Sequence, residues 1–205
     1  GKTRLATDIA RTLKPRVTLI LCPKIVMPQW RCCVENVFPE AELIELTGPV
    51  RTRRLTLQGL ATQLRAGAWT KPVVMTLNYD VLHLLTDDLV KLQGWLDLMI
   101  ADESTRLKSR TARVSKAAHK VAKAARRRLA LTGTPLGGDL NDLWSQLQYQ
   151  DAHIFNATYW NWVRKYFQLG GWSGRDPVGL IPAKVPDLVE RMYAAAFRCT
   201  KTGVD

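Results

Sequence analysis

Three short segments of the chain carry the ammonium, hydroxyl and carboxylate groups that phosphate chemistry uses. The first is Gly1-Lys2-Thr3, which matches the end of the pattern G-x-x-x-x-G-K-[ST]. In that pattern backbone N–H groups cradle phosphates, the lysine reaches the β- and γ-phosphates, and the hydroxyl binds Mg²⁺. Three residues alone do not define such a loop, so this prediction depends on the other two segments.

The second segment is the acidic pair Asp102-Glu103, which follows the apolar run from Leu96 to Ala101. The run predicts a buried strand, so both carboxylates should project from its carboxyl end. Ligands of open α/β sheets bind at that edge, where one carboxylate can hold Mg²⁺ and its neighbour can polarise an attacking water. An acidic turn that closes a strand and caps the next element has the same composition and stays an alternative.

The third segment, Leu131-Thr132-Gly133-Thr134-Pro135, follows a short predicted strand. Gly133 permits an unusual backbone angle, and Pro135 ends the strand. The hydroxyls of Thr132 and Thr134 are then placed to contact the carboxylates or a neighbouring lobe. An ordinary strand-to-helix turn is the alternative for this segment.

The elements that position these groups alternate along the first 150 residues. Strands are predicted at 17–22, 42–46, 73–76, 96–101 and 129–131. Helices are predicted at 3–13, 25–37, 50–66, 79–92, 111–125 and 139–148, the last with Asp139 as its N-cap. Such alternation predicts an α/β fold with a mainly parallel sheet covered by helices on both faces.

Residues 151–205 differ in character from the rest of the chain. Aromatic side chains crowd the stretch 159–172, three glycines at 170–174 predict a loop, and 186–198 predicts a helix. We expect this region to be an appendage of the same lobe. Its aromatic cluster predicts either a surface that stacks nucleic-acid bases or a hydrophobic patch that covers the lobe or docks a partner.

The chain is strongly basic, with a formal net charge of +12. Each cation that pairs with a phosphate releases a condensed counterion, so a surplus this large favours a polyanionic partner such as nucleic acid. A solvated basic surface without such a partner gives the same composition. One helical stripe is a candidate phosphate contact on the same grounds: Arg113, Lys116, Lys120 and Lys123.

The composition of the chain also indicates the cellular compartment in which the protein works. No uninterrupted apolar run reaches the ~18 residues of a membrane span, and charged residues interrupt the start of the chain, which is unlike a signal peptide. The four cysteines form no C-x-x-C pair, and the three histidines add no metal-ligand spacing. We therefore expect a reduced, intracellular compartment.

Taken in order, five stretches resemble motifs I, Ia, Ib, II and III of Snf2-like superfamily 2 helicases and ATPases. They are GKT, LILCPKIVMPQW, VVMTLNYDVL, MIADESTRLKS and LALTGTPL. The later stretches DLNDLWSQL and FRCTKT are similar to the same family, so the resemblance covers nearly the whole chain. The DEST form and the W-x-x-x-x-x-Y-F segment look most like Snf2-like DNA helicases of phages and prophages.

The resemblance implies a RecA-like P-loop NTPase sandwich with a small helical extension. Residues 1–150 would be the first ATP-binding lobe, beginning inside its phosphate loop, and 151–205 a helical, aromatic extension toward a second RecA-like lobe. ATP and Mg²⁺ would be the cofactors, double-stranded DNA the partner, and the cytoplasm of a bacterial or phage-infected cell the location. The intact protein would be a DNA-dependent ATP hydrolase, a helicase or translocase, whereas residues 1–205 alone would be nearly inactive.

The family's site residues transfer to the matching positions. Gly1, Lys2 and Thr3 would bind the nucleotide, and Thr3 with Asp102 would coordinate Mg²⁺. Lys2, Asp102 and Glu103 would form the catalytic set, in which Glu103 activates water. Coupling to DNA would use Thr132, Gly133 and Thr134. The family's nucleic-acid face would be lined by Pro23, Lys24, Trp30, Thr76, Asn78 and Tyr79. Arg106 and Lys108, basic residues soon after the acidic pair, are further candidates for nucleic-acid binding.

The sequence also departs from the family's pattern. Thr105 stands where many relatives carry histidine, and Gly137-Gly138 stands where relatives often carry a polar residue followed by asparagine. The first departure puts a coupling role in doubt, and the second a contact after motif III. Two other functions stay open: a non-catalytic nucleic-acid-binding module on the same fold, and a restriction-type translocase subunit or RNA helicase of superfamily 2.

Overall fold

The computed structural model describes residues 1–133 and 141–196, and the side chains of residues 141 and 142 lie outside that description. The chain divides into two compact units, Gly1–Tyr149 and Gln150–Asp205. Within the described ranges no helix is long and apolar enough to cross a membrane. The helix N-cap predicted at residue 139 falls outside them.

The first unit contains five strands and six helices in its described part. The strands are β1 (Val17–Cys22), β2 (Glu42–Glu45), β3 (Val73–Asn78), β4 (Leu96–Asp102) and β5 (Arg127–Leu131). The helices are α1 (Lys2–Leu13), α2 (Met27–Val37), α3 (Val50–Arg65), α4 (Tyr79–Val90), α5 (Arg113–Ala124) and α6 (Asn141–Gln150). Short 3₁₀ turns occupy Lys24–Val26 and Ser104–Leu107.

The five strands form one sheet in the order β2-β3-β1-β4-β5. Each neighbouring pair runs parallel. Every residue of β1 and β3 is buried, which is typical of a parallel sheet that helices cover on both faces. The expected α/β fold with a parallel sheet is therefore confirmed.

The alternation of side chains along each strand divides the apolar residues between two cores. On one face, Leu19 and Leu21 of β1 pack with residues of α3, α4 and α5. On the other face, Ile20 and Cys22 pack with residues of α1 and α2. The result is a three-layer sandwich whose strand ends are fixed by packing from both sides.

At the amino end of the sheet, an ion pair joins β4 to the residue that precedes β1. The Arg16 guanidinium donates to both carboxylate oxygens of Asp97 at 3.0 Å, and the Arg16 backbone N–H donates to the same carboxylate at 2.9 Å. Burial raises the pKa of Asp97, but the hydrogen bonds from Arg16 outweigh burial and hold that pKa below its usual range.

The predicted helices and strands of the first unit are present with two informative shifts. The helix predicted at 25–37 begins instead with a 3₁₀ turn, and the α-helix proper places Pro28 in its first turn, where the missing N–H costs nothing. Arg127 and Arg128, expected to join α5 to the next strand, lie inside β5. Because β5 is an edge strand, charged side chains are tolerated there.

The second unit contains elements that the sequence patterns did not predict. Helix α7 (Tyr159–Tyr166) is followed by an antiparallel hairpin of β6 (Phe167–Gly170) and β7 (Asp176–Leu180). A 3₁₀ turn at Pro182–Lys184 leads into α8 (Val185–Tyr193), where a helix was expected at 186–198.

The aromatic cluster of the second unit splits into a buried and an exposed part. Trp162, Tyr166 and Phe167 are buried and contact Phe155 or one another at ring-centroid separations of 4.9 to 6.1 Å. These side chains form the core of the unit, so they are not available to stack on bases. Trp172, in the turn between β6 and β7, is fully exposed.

Candidate active site

The three chemical segments meet at one place on the first unit. The Lys2 ammonium donates to the Glu103 carboxylate at 2.8 Å, although the residues are 101 positions apart. Gly133 lies beside the same ammonium, because a Cβ added to Gly133 would stand 3.7 Å from Lys2 Nζ. Residues from the start of α1, the end of β4 and the end of β5 therefore share one site.

Strand register explains why these segments converge. Ala101 of β4 pairs with Leu21 of β1, and Asp102 pairs with Leu131 of β5, so the following residues emerge side by side. The chain leaves β1 toward β2 and leaves β4 toward β5, in opposite directions along the sheet. A crevice outside the carboxyl ends of strands at such a reversal is where open α/β sheets bind ligands.

The Asp102 carboxylate is buried and is held in a fixed orientation. One oxygen, Oδ2, accepts a hydrogen bond from the Trp30 indole N–H at 2.8 Å. The other, Oδ1, accepts from the backbone N–H of Glu103 at 3.1 Å. The Tyr79 hydroxyl donates to the Asp102 carbonyl oxygen at 2.7 Å, which fixes the backbone as well.

Glu103 reaches Lys2 from an unusual backbone conformation. Its φ of 52° and ψ of 59° lie in the left-handed region, where residues other than glycine are uncommon. The turn ends β4 abruptly and starts the 3₁₀ turn at Ser104–Leu107. The side chain of Glu103 is 44% exposed and that of Lys2 41%, so both charged groups are open to a ligand.

Burial around Asp102 alters its titratable neighbours. Burial, aided by the charge of Asp102, raises the pKa of the Cys22 thiol to about 12. Burial also raises the pKa of the Tyr79 phenol, with smaller contributions from Tyr149 and Asp102. Both groups are therefore neutral near pH 7. Tyr79 acts in this structure as a hydrogen-bond donor, and Cys22 is a small core residue.

The residues fit a nucleotide phosphate and a magnesium ion. At the start of α1 no described side chain caps the helix, so its first N–H groups and Lys2 present a positive site for an anion. A carboxylate has about four acceptor positions, and the hydrogen bonds from Trp30 and from the Glu103 N–H use two of those of Asp102, which leaves room for a cation or its water. The described residues include no cluster of three or more His, Cys, Asp or Glu. Mg²⁺ commonly binds through one or two protein carboxylates plus phosphate oxygens and water, so such a cluster is not required.

The predicted coupling residues are only partly described. Gly133 is exposed beside Lys2, and Thr132 is half-buried where β5 ends. Thr134 lies outside the described residues. Gly133, the last described residue of this segment, therefore lies next to Lys2 of the Lys2–Glu103 pair.

Four of the residues predicted to line nucleic acid are buried in the structure. Trp30, Thr76, Asn78 and Tyr79 are 0% to 6% exposed, so their side chains do not form a surface for a polyanion. The reason is their position: Thr76 lies within the interior strand β3, Asn78 ends that strand, and the two aromatic rings pack in the cores. Lys24, Arg106 and Lys108 are exposed and Pro23 is half-buried, which is compatible with the predicted contact.

Two features near the site were not predicted. Ile25 is 88% exposed between Lys24 and α2, an unusual position for a large apolar side chain. Arg53 donates to the Gly48 carbonyl oxygen at 2.8 Å and to the Asn78 amide oxygen at 3.0 Å, which ties α3 to the end of β3. Arg53 belongs to a cluster with Arg51 and Arg54, whose composition favours a basic surface but does not indicate the contact with Asn78.

The parallel α/β sandwich, with its motif residues gathered at the carboxyl edge of the sheet, defines a RecA-like lobe. The chain belongs to the SNF2-related domain family, whose model matches residues 5–191. The predicted resemblance to Snf2-like proteins is therefore confirmed.

Individual relatives agree with the family assignment. Protein p41 of Acyrthosiphon pisum secondary endosymbiont phage 1 is 38% identical over 133 residues, which cover 57% of this chain and 28% of the phage protein. A probable ATP-dependent DNA helicase of Arabidopsis thaliana is 34% identical over 146 residues, covering 69% of this chain and 12% of the plant protein. The chain thus spans a minor part of the relatives it matches.

A solved structure shares the fold. It is the Sulfolobus solfataricus SWI2/SNF2 ATPase core in complex with dsDNA, which matches with a TM-score of 0.67 and 18% sequence identity. The match covers 98% of this chain and 37% of the archaeal chain. At this identity the likeness supports the fold assignment alone.

Proposed function

We propose that this chain is the first motor lobe of an ATP-dependent DNA translocase or helicase. The observation that carries the proposal is the meeting of Lys2, Glu103 and Gly133 beside the fixed Asp102 carboxylate. The names of the relatives support DNA as the substrate, because they include an ATP-dependent DNA helicase and an ATPase core bound to dsDNA. The net charge of +12 agrees with a polyanionic partner.

Each residue of the site has a definite role in this proposal. Lys2 leaves its ion pair with Glu103 to bind the terminal phosphates of ATP, while the N–H groups at the start of α1 hold the phosphate oxygens. Asp102 and the Thr3 hydroxyl hold Mg²⁺, which neutralises charge on the phosphates when it is bound. Released from Lys2, Glu103 accepts a hydrogen bond from the attacking water and orients it.

The proposed ATPase motor also includes the second unit of this chain and a second RecA-like lobe. Residues 151–205 form an extension of the motor lobe, and a second RecA-like lobe of the same protein supplies positive charge to the transition state. Exposed residues at the carboxyl edge of the sheet, namely Lys24, Arg106 and Lys108, contact the DNA backbone. Residues 1–205 alone then have little ATPase activity, because half of the site is contributed by the other lobe.

The test is ATP hydrolysis by the full-length protein with and without duplex DNA. Wild type should hydrolyse ATP faster with DNA, and Lys2→Ala and Glu103→Gln should each lower the rate at least ~100-fold. Lys71→Ala is the matched control, since Lys71 is exposed next to the amino end of β3, away from the carboxyl edge. DNA binding by wild type without DNA-stimulated hydrolysis, and with no effect of Glu103→Gln, would favour the non-catalytic binding module. Stimulation by RNA in place of DNA would favour an RNA helicase.

A further inference from the structure

Two aromatic residues from different helices hold Asp102 at two different atoms. Trp30, in α2, donates its indole N–H to the carboxylate at 2.8 Å. Tyr79, the first residue of α4, donates its hydroxyl to the backbone carbonyl at 2.7 Å. Trp30 is 0% exposed and Tyr79 4%, so water does not replace either bond.

Each of these helices also reaches the exposed carboxyl edge of the sheet. Helix α2 follows directly on the turn Lys24–Val26, in which Ile25 is 88% exposed. Helix α4 follows directly on Asn78, whose amide oxygen accepts a hydrogen bond from Arg53 at 3.0 Å. A displacement of the exposed turn at Lys24–Val26, or of the Arg53–Asn78 contact, would therefore be carried by a helix to the atoms of Asp102.

We infer that Trp30 and Tyr79 are positioning residues that couple DNA binding at the carboxyl edge to the metal-binding carboxylate Asp102. The inference rests on the proposed function of the site. DNA that contacts the turn at Lys24–Val26 restrains the start of α2, and thereby the indole that orients the carboxylate. The Tyr79 bond acts in the same way on the backbone of β4 and on the Glu103 turn that follows.

The coupling follows from hydrogen-bond geometry. A buried carboxylate oxygen that loses its donor is costly, so the position of the indole selects the orientation of the carboxylate. Binding free energies are reciprocal, so DNA strengthens Mg²⁺–nucleotide binding by the same factor by which Mg²⁺–nucleotide strengthens DNA binding. The residues act through Asp102 and need no contact with DNA, in agreement with their burial.

Equilibrium binding by the full-length protein tests the inference. The affinity for a fluorescent DNA duplex is measured by anisotropy, with and without Mg²⁺ and a non-hydrolysable ATP analogue. Wild type should bind DNA at least ~5-fold more tightly with the analogue, at the low end of typical coupling. Trp30→Phe keeps the ring but removes the N–H, and it should reduce this ratio to below ~2 without changing the affinity for DNA alone.

Tyr79 and Tyr149 each donate a buried hydrogen bond to a backbone carbonyl of β4, so they provide the second variant and its control. Tyr79→Phe should also lower the coupling ratio, since it removes the bond to the Asp102 carbonyl. Tyr149→Phe removes a similar buried bond, from the Tyr149 hydroxyl to the Met99 carbonyl oxygen of the same strand at 3.0 Å, and should leave the ratio unchanged. As a separate readout, the Mg²⁺ concentration needed for half-maximal analogue binding should rise several-fold in Trp30→Phe but not in Tyr149→Phe.

The outcomes separate the inference from the function it rests on. If wild type couples DNA and analogue but Trp30→Phe and Tyr79→Phe couple equally well, the inference is wrong and the proposed function stands. The inference is equally wrong if Tyr149→Phe lowers the ratio as much as Tyr79→Phe. If wild type shows neither coupling nor DNA-dependent hydrolysis, the proposed function fails and the inference fails with it. Tyr79→Phe keeps the test decisive if Trp30→Phe does not fold.

Discussion

The backbone at Glu103 should store strain that the proposed chemistry requires. A left-handed conformation costs an L-residue about 1–2 kcal/mol, and Glu103 adopts it with φ 52° and ψ 59°. Such conformations persist where the surrounding structure enforces them, and they cluster at functional sites. Here the strained residue is the one whose carboxylate reaches Lys2. We therefore expect a substitution that removes the strain to raise stability while abolishing hydrolysis.

Comparing Glu103→Gly with Glu103→Gln isolates the backbone contribution. Both remove the ion pair with Lys2, which is exposed and contributes only ~0–1 kcal/mol. Glutamine keeps the strained backbone. Glycine relieves about 1–2 kcal/mol of backbone strain in the folded state. It also makes the unfolded chain more flexible, which lowers the stability of the folded state by roughly 0.5–1 kcal/mol. The glycine variant should therefore be about 0–1.5 kcal/mol more stable than the glutamine variant, with a central value of ~0.75 kcal/mol.

Urea unfolding of the 205-residue chain, followed by circular dichroism, measures this difference. Lys14 offers a control, because it is exposed, has φ 47° and ψ 54° at the end of α1, and lies outside the site. Lys14→Gly should exceed Lys14→Gln in stability by a similar amount, yet DNA-stimulated hydrolysis by the full-length protein should survive both changes. The reasoning is refuted if Lys14→Gly gains stability over its glutamine counterpart but Glu103→Gly does not.

Three further predictions test the packing and electrostatics. Trp162→Ala should destabilise the second unit by about 3–5 kcal/mol in urea unfolding, whereas Trp172→Ala should change stability by less than ~0.5 kcal/mol, because only the first ring is buried. Asp97→Asn should cost about 1 kcal/mol at pH 7. Since the folded pKa of Asp97 is depressed, that stabilisation is fully present above its unfolded pKa and is lost as pH falls through the folded pKa. The stabilities of wild type and variant should therefore begin to converge below about pH 4 and should meet below the folded pKa. Cys22 is buried and its thiol has a pKa of about 12, so it should resist alkylation at pH 8 in the folded protein, whereas the exposed Cys32 should react. Mass spectrometry of the labelled peptides measures both rates, and equal rates would contradict the burial of Cys22.

The architecture of the first unit was accessible from sequence because parallel strands buried on both faces leave a simple pattern. Short apolar runs such as Val17 to Cys22, bounded by prolines, can be read without knowing what covers them. The convergence of Lys2 with Glu103 was also accessible, since carboxyl ends of parallel strands share one edge. The hairpin of β6 and β7 was not predicted, because the glycines between its strands indicate a loop without indicating that the flanking residues pair.

Burial of Trp30 and Tyr79 could not be inferred from composition, because both residue types have an apolar body and a polar tip. In a segment that also contains Lys24, a tryptophan at position 30 suggests a nucleic-acid surface as readily as a core residue. What decides between the two is the hydrogen-bond partner of the polar group. The partner of the Trp30 indole N–H is Asp102, which lies 72 positions away in the chain. An indole N–H or a hydroxyl that faces solvent can bind a ligand. One that donates a hydrogen bond to a buried residue such as Asp102 instead fixes the position of that residue. The contacts at Asp102 therefore assign both aromatic residues to the support of that carboxylate and its backbone, and under the proposed function a single lost hydrogen bond there should change coupling without changing the DNA surface itself.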